Sequence, residues 1–132
     1  RMNNEELLNV INTNKKVVII LGLEVKNNLL IDDFIKANFK VSEEQLKQNL
    51  GFENRETFFP ILEKEFNDFF PFIFIKESEI EKLPFLKPII NEIFSLPTIL
   101  FIKSGEIQPI KYGGYNTYSQ FKEILEKFKN MQ

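Results

Sequence analysis

Residues 16–21 read Lys-Val-Val-Ile-Ile-Leu, a six-residue run that is apolar after its first position and rich in β-branched side chains. Such a run is too short for a core helix and has no alternation, so it suits a strand covered on both faces. A strand of that kind belongs in a sheet with helices packed against it, which points to an α/β chain. Gly22 closes the run.

The flanking periodicities agree. Residues 4–12 place Leu7, Leu8 and Ile11 on one helical face, with Glu5 and Glu6 at the positive end. Residues 28–38 predict a helix with Leu30, Ile31, Phe34 and Ile35 on one side, and Ser42 to Gln45 carries a capping-box pattern for a short helix reaching Leu50. Residues 54–69 predict a longer helix, with Asn54 as its N-cap and Pro60 inside it. Phe72-Ile73-Phe74-Ile75 is a second buried-strand pattern, and Ser78 to Glu81 opens another helix. Thr98–Lys103 and Glu106–Lys111 predict two strands joined at Ser104-Gly105. Thr117 to Gln120 caps a last helix whose apolar stripe is Phe121, Ile124, Leu125 and Phe128. Right-handed crossover makes the first two strands parallel, and the hairpin adds antiparallel strands to the same sheet. The 132 residues are expected to form a single domain.

Function is constrained mainly by which residue types are missing. The chain has no Cys and no His, so thiol redox chemistry, thiolate nucleophiles, Cys or His metal sites and His-based triads are excluded. The 17 Lys and Arg against 19 Asp and Glu are interleaved and give a net charge of −2, which offers no clustered positive surface for nucleic acid. No apolar run is long enough to span a bilayer and the first residues lack a signal-peptide layout, which leaves the compartment open and favours a cytoplasmic one. There is no phosphate-cradling glycine loop and no Asp-rich metal loop. No cofactor and no metal are expected.

Several segments resemble thioredoxins. The densest is Leu96-Pro97-Thr98-Ile99-Leu100-Phe101-Ile102-Lys103-Ser104-Gly105-Glu106, which is similar to the thioredoxin cis-proline, core strand and following turn. Lys111-Tyr112-Gly113-Gly114 resembles the glycine after the last strand, and 119–130 the terminal helix. Phe58 to Glu63 resembles the proline-containing helix that follows the redox motif, and residues 5–21 the first helix and strand. The resemblance implies a thioredoxin-like three-layer α/β/α fold with a central mixed sheet, carrying a helical insertion at about 25–50.

It also implies where a site should lie. Alignment on Pro60 puts Phe52-Glu53-Asn54-Arg55 where thioredoxins carry Cys-x-x-Cys; an ungapped alignment puts Val25-Lys26-Asn27-Asn28 there instead. The first is preferred, because a proline inside a helix is costly and seldom accidental. By the same resemblance Leu96 offers its backbone to an extended peptide beside Pro97. Phe52, Glu53, Asn54, Arg55, Leu96, Pro97, Tyr112, Gly113 and Gly114 are therefore the candidate binding residues. Tyr112, Tyr115 and Tyr118 are expected as half-buried surface residues, and most of Phe58, Phe59, Phe66, Phe69, Phe70, Phe72 and Phe74 as core. The implied function is a non-catalytic protein-binding domain of an accessory, chaperone-like or scaffolding kind. The alternatives are a non-thiol enzyme or small-molecule binder in the same cleft, and a purely structural subunit.

Overall fold

The computed structural model describes residues 3–23, 42–92, 96–108 and 116–132. The helix expected at 28–38, most of the insertion at 25–50, the Val25–Asn28 segment and the Tyr112–Gly114 candidates lie outside those residues. The described elements fall into two compact units.

The first unit is built on a four-stranded mixed sheet. Helix α1 (Asn4–Thr13) leads into β1 (Lys16–Leu21). The chain returns to this unit with β2 (Phe72–Ile75), a single turn α4 (Glu77–Ile80) and a 3-10 stretch Pro84–Glu92, then β3 (Thr98–Lys103) and β4 (Glu106–Ile107). Strand order is β2-β1-β3-β4. β1 runs parallel to β2 with Val18 beside Phe72, and antiparallel to β3 with Ile19 opposite Leu100.

Alternation sorts the side chains of this sheet. Val17, Ile19 and Leu21 of β1, Ile73 and Ile75 of β2 and Leu100 and Ile102 of β3 share a face, and pack in one cluster with Leu7 and Ile11 of α1 and with Ile80, Leu83 and Leu86. The opposite face carries Val18, Ile20, Ile99 and Phe101, also buried. The unbroken apolar run of β1 is thus matched by burial of every residue from Val17 to Leu21. β2 departs from expectation: Ile73 and Ile75 are buried but Phe72 and Phe74 are half-exposed, because β2 lies at the end of the described strand order.

The chain connections are specified locally. Asn3 caps α1 by accepting from the Glu6 N–H, and Asn4 Oδ1 accepts from the Phe85 N–H, tying α1 to the 3-10 stretch. The β3–β4 hairpin turns at Ser104 (φ 52°) and Gly105 (φ 80°), the two left-handed positions a tight primed turn requires. Of the strand expected at 106–111, β4 takes Glu106 and Ile107; positions 109–111 are outside the described residues. Ser78 does not cap the helix expected after it. α4 begins one residue earlier from Lys76, whose C=O takes the Glu79 N–H, so Ser78 is inside the turn.

The second unit comprises α2 (Glu43–Gln48), a 3-10 turn (Phe52–Asn54), α3 (Arg55–Phe66) and α5 (Tyr118–Asn130). Ser42 Oγ accepts from the Gln45 N–H at the start of α2. At α5 the full capping box forms: Thr117 Oγ1 accepts from the Gln120 N–H, and Gln120 Oε1 accepts from the Thr117 N–H. The Tyr118 N–H, still unsatisfied inside the first turn, donates to the Leu50 C=O at 3.1 Å. Asn54 stands directly before α3 and its backbone N–H closes the 3-10 turn on the Gly51 C=O, but its side chain makes no cap bond, because its backbone (φ −98°, ψ 21°) is not in the extended conformation that an N-cap uses.

The core of this unit is aromatic. Phe58 is fully buried, with ring centroids 4.9 Å from Phe59, 5.7 Å from Phe121 and 6.5 Å from Tyr118. Tyr118 corrects the expectation of a half-buried surface tyrosine: it is 2% exposed, because the first turn of α5 directs its ring onto Phe58. Its hydroxyl donates to Glu65 Oε1. Glu65 is held in turn by Lys122 at 3.0 Å, with Lys47 at 3.9 Å. A buried phenol is thereby satisfied by a carboxylate that two ammonium groups compensate.

Candidate functional site

The helical unit places the first candidate group. The 3-10 turn over Phe52, Glu53 and Asn54 runs straight into α3, so Phe52 and Arg55 are three apart on a continuous helical path and meet. The Arg55 guanidinium lies over the Phe52 ring, 4.9 Å from its centroid, and donates through Nη1 to the Phe52 C=O at 3.4 Å. Phe52, Asn54 and Arg55 are half-buried and Glu53 is exposed. Pro60 lies one and a half turns further on, fully inside the helix, where it removes the backbone donor that would have reached residue 56. This cluster has no nucleophile. It offers a half-exposed cation–aromatic pair at a helix start.

The sheet unit places the second group. The Leu96–Pro97 peptide is cis, and both residues are half-buried at the entrance to β3. Thr98 follows, opposite Leu21 at the end of β1. Sequence reasoning missed the residue that seats this entrance, Gly22. Its N–H donates to the Ile75 C=O at 2.7 Å, and its φ of +83° turns the chain away from β1. A Cβ on Gly22 would stand 2.6 Å from Leu96 Cβ. Leu96 therefore lies directly on the Gly22 backbone, and also packs on the core cluster. The available signal was the single glycine after an apolar strand, a place where close backbone approach is common.

The structure thus brings Phe52 to Arg55, and Leu96 with Pro97 to Gly22. These two groups lie in different units. Tyr112, Gly113 and Gly114 are outside the described residues. Among the described residues no group of three or more Asp or Glu is placed to hold a metal ion, and no helix is long and apolar enough to cross a membrane.

Among the described residues, two ionisable groups are perturbed. Burial pushes the Glu63 carboxyl of α3 upward. Burial lowers the Lys16 ammonium, helped by the positive charges of Lys15 and of Lys103, which stands opposite Lys16 on β3. Glu63 has a testable sign. Because its pKa is raised in the folded state, the folded protein holds that proton more tightly than the unfolded chain. Stability therefore falls as pH climbs from the unfolded pKa through the folded one, and the penalty is complete above both. Glu63→Gln should unfold at a higher temperature than the parent at pH 7, and the gap should close below about pH 4. Equal or lower stability of the variant at pH 7 would contradict burial as the cause.

No family model matches the chain, and no curated protein matches it. Among solved structures, the human ERp44 zinc-bound form, a thioredoxin-family protein, superposes with a TM-score of 0.52 at 11% identity over 98% of this chain. The fold is thioredoxin-like. The chain spans 30% of the length of that structure, and at this identity the likeness concerns architecture alone. A designed protein is similar at a TM-score of 0.48 and 18% identity, covering 96% of this chain and 92% of its own. The thioredoxin-like chain described here carries no cysteine at any position.

Proposed function

We propose that this is a non-catalytic thioredoxin-like domain that binds protein, taking an extended peptide beside Leu96-Pro97 and a side-chain contact at Phe52 and Arg55. The observation that carries the reading is the occupant of the helix start before Pro60: an arginine stacked on a half-exposed phenylalanine, in a chain without Cys or His. Arginine and aromatic side chains are the types most enriched where protein contacts concentrate their energy. An accessory, chaperone-like or scaffolding role fits such a module. A non-thiol enzyme is the weaker reading, since Glu63 is the one carboxylate that burial shifts among the described residues.

Peptides selected by display against the immobilised chain provide the test. Titrated into isotopically labelled protein, they should move the amide resonances of Phe52, Arg55, Leu96 and Thr98 most. Arg55→Ala and Leu96→Glu should each weaken binding about tenfold or more, with unchanged circular dichroism. The chain should show no turnover in a thiol–disulfide reductase assay. Shifts that cluster elsewhere, with both variants binding normally, would remove the reading.

A further inference from the structure

The Phe52–Arg55 pair is tied to the last helix through one residue, Tyr118. Phe52 follows Leu50 across a single glycine, so their α-carbons can stand no more than about 7.5 Å apart. Leu50 is buried, and its C=O accepts from the Tyr118 N–H at 3.1 Å. Gly51 has little room to absorb a shift of Leu50. Its C=O accepts from the Asn54 N–H at 3.0 Å, and a Cβ placed on it would stand 2.7 Å from Glu53 Oε1.

The same tyrosine reaches α2 by a second route. Its hydroxyl donates to Glu65 Oε1, the oxygen that Lys47 of α2 approaches at 3.9 Å. Lys122 closes on Glu65 Oε2 at 3.0 Å and lies over the Tyr118 ring, 5.8 Å from its centroid. The Lys47 and Glu65 side chains are mostly buried, so salt screens their attraction less than that of an open surface pair. The Thr117–Gln120 capping box fixes the turn from which Tyr118 makes both bonds. All these residues belong to the helical unit.

We infer that Tyr118 is a positioning residue for the Phe52–Arg55 contact, a latch that holds the segment 47–52 at Leu50 and, through Glu65, at Lys47. When the latch opens, Leu50 carries Gly51 with it and Phe52 leaves the Arg55 guanidinium. The first turn of α5 thereby decides whether the cation–aromatic pair is assembled. Control of partner binding by α5 rests on the reading of Phe52 and Arg55 as contact residues; the latch itself does not.

The test is amide hydrogen exchange, followed by magnetic resonance on the free full-length chain. Tyr118→Phe removes the hydroxyl and keeps both the ring against Phe58 and the N–H to Leu50. It should speed exchange of the Asn49, Leu50 and Asn54 amides about tenfold or more, and that of Leu62 in α3 and Val18 in β1 by less than about threefold. Lys47→Met leaves the aromatic core alone and should speed the same three amides about threefold. The Arg55 side-chain protons, which lie over the Phe52 ring, should shift in Tyr118→Phe toward their positions in Phe52→Leu. Equal acceleration at all five amides overturns the inference, because it marks a loss of global stability alone. So does a Leu50 amide that either variant leaves unchanged, or an Arg55 spectrum that Tyr118→Phe does not move. No peptide takes part, so failure of the display-selected peptides to dock at Phe52 would leave these results as they stand.

Discussion

Gly22→Ala should lower the unfolding temperature of this protein by about 10 °C or more, one of the two largest effects expected of a single substitution in it. Two costs add. The φ of +83° is a conformation that an L side chain enters at about 1–2 kcal/mol. The new methyl would also stand 2.6 Å from Leu96 Cβ and 2.8 Å from its Cγ. Leu96 Cβ is fixed to its own backbone, so relief requires movement of the main chain at the entrance to β3, an overpacking penalty of about 1–3 kcal/mol. Gly105 provides the control. Its φ is +80°, but nothing lies within 4 Å of a Cβ placed there. Gly105→Ala should therefore show the conformational cost alone, about 1 kcal/mol. Thermal denaturation of both variants separates the terms. Equal losses at the two positions would mean that the contact between Gly22 and Leu96 has no energetic weight.

Phe58→Ala should be the second large loss, at about 3–5 kcal/mol. The ring is fully buried and touches Phe59, Tyr118 and Phe121, so its removal opens a cavity between α3 and α5 that rigid aromatic neighbours cannot fill. Phe58→Leu keeps most of the volume and should cost about 1–1.5 kcal/mol. Phe69→Ala, at a side chain 53% exposed, should cost far less than either. Denaturant titration gives the three values. A Phe58→Ala loss no greater than that of Phe69→Ala would contradict the packing described.

The legibility of this fold followed the strength of local signals. β1 could be placed to the residue because β-branched side chains fill it and a glycine ends it. The hairpin was readable because Ser104-Gly105 is a pair that accepts left-handed backbone. The Thr117–Gln120 box was readable because the same two side chains satisfy each other's backbone donors. Signals failed where tertiary context decided the outcome. Asn54 and Ser78 have capping chemistry, but the Asn54 backbone is not extended and Ser78 lies inside the turn that starts at Glu77. Tyr118 was misjudged because one apolar residue type in a polar stretch says nothing of a carboxylate 53 positions away that makes its burial tolerable. Phe72-Ile-Phe-Ile75 reads as a strand, but only strand order places it at the end of the described sheet.

The site was legible in part. The proline before β3 and the Phe52–Arg55 turn were visible as residue types, whereas Gly22 became visible only through its distance to Leu96. A glycine that ends a strand and a glycine that receives a side chain look alike in a sequence.

The bond from the Tyr118 N–H to the Leu50 C=O, and the aromatic packing of α3 against α5, join residues more than 50 positions apart. During synthesis α3 therefore leaves the ribosome long before its covering helix exists, with Phe58 and Phe59 lacking their Phe121 neighbour. The helical unit can close only after residues 118–130 have been made, and its assembly is late for a reason set by chain order rather than by helix propensity.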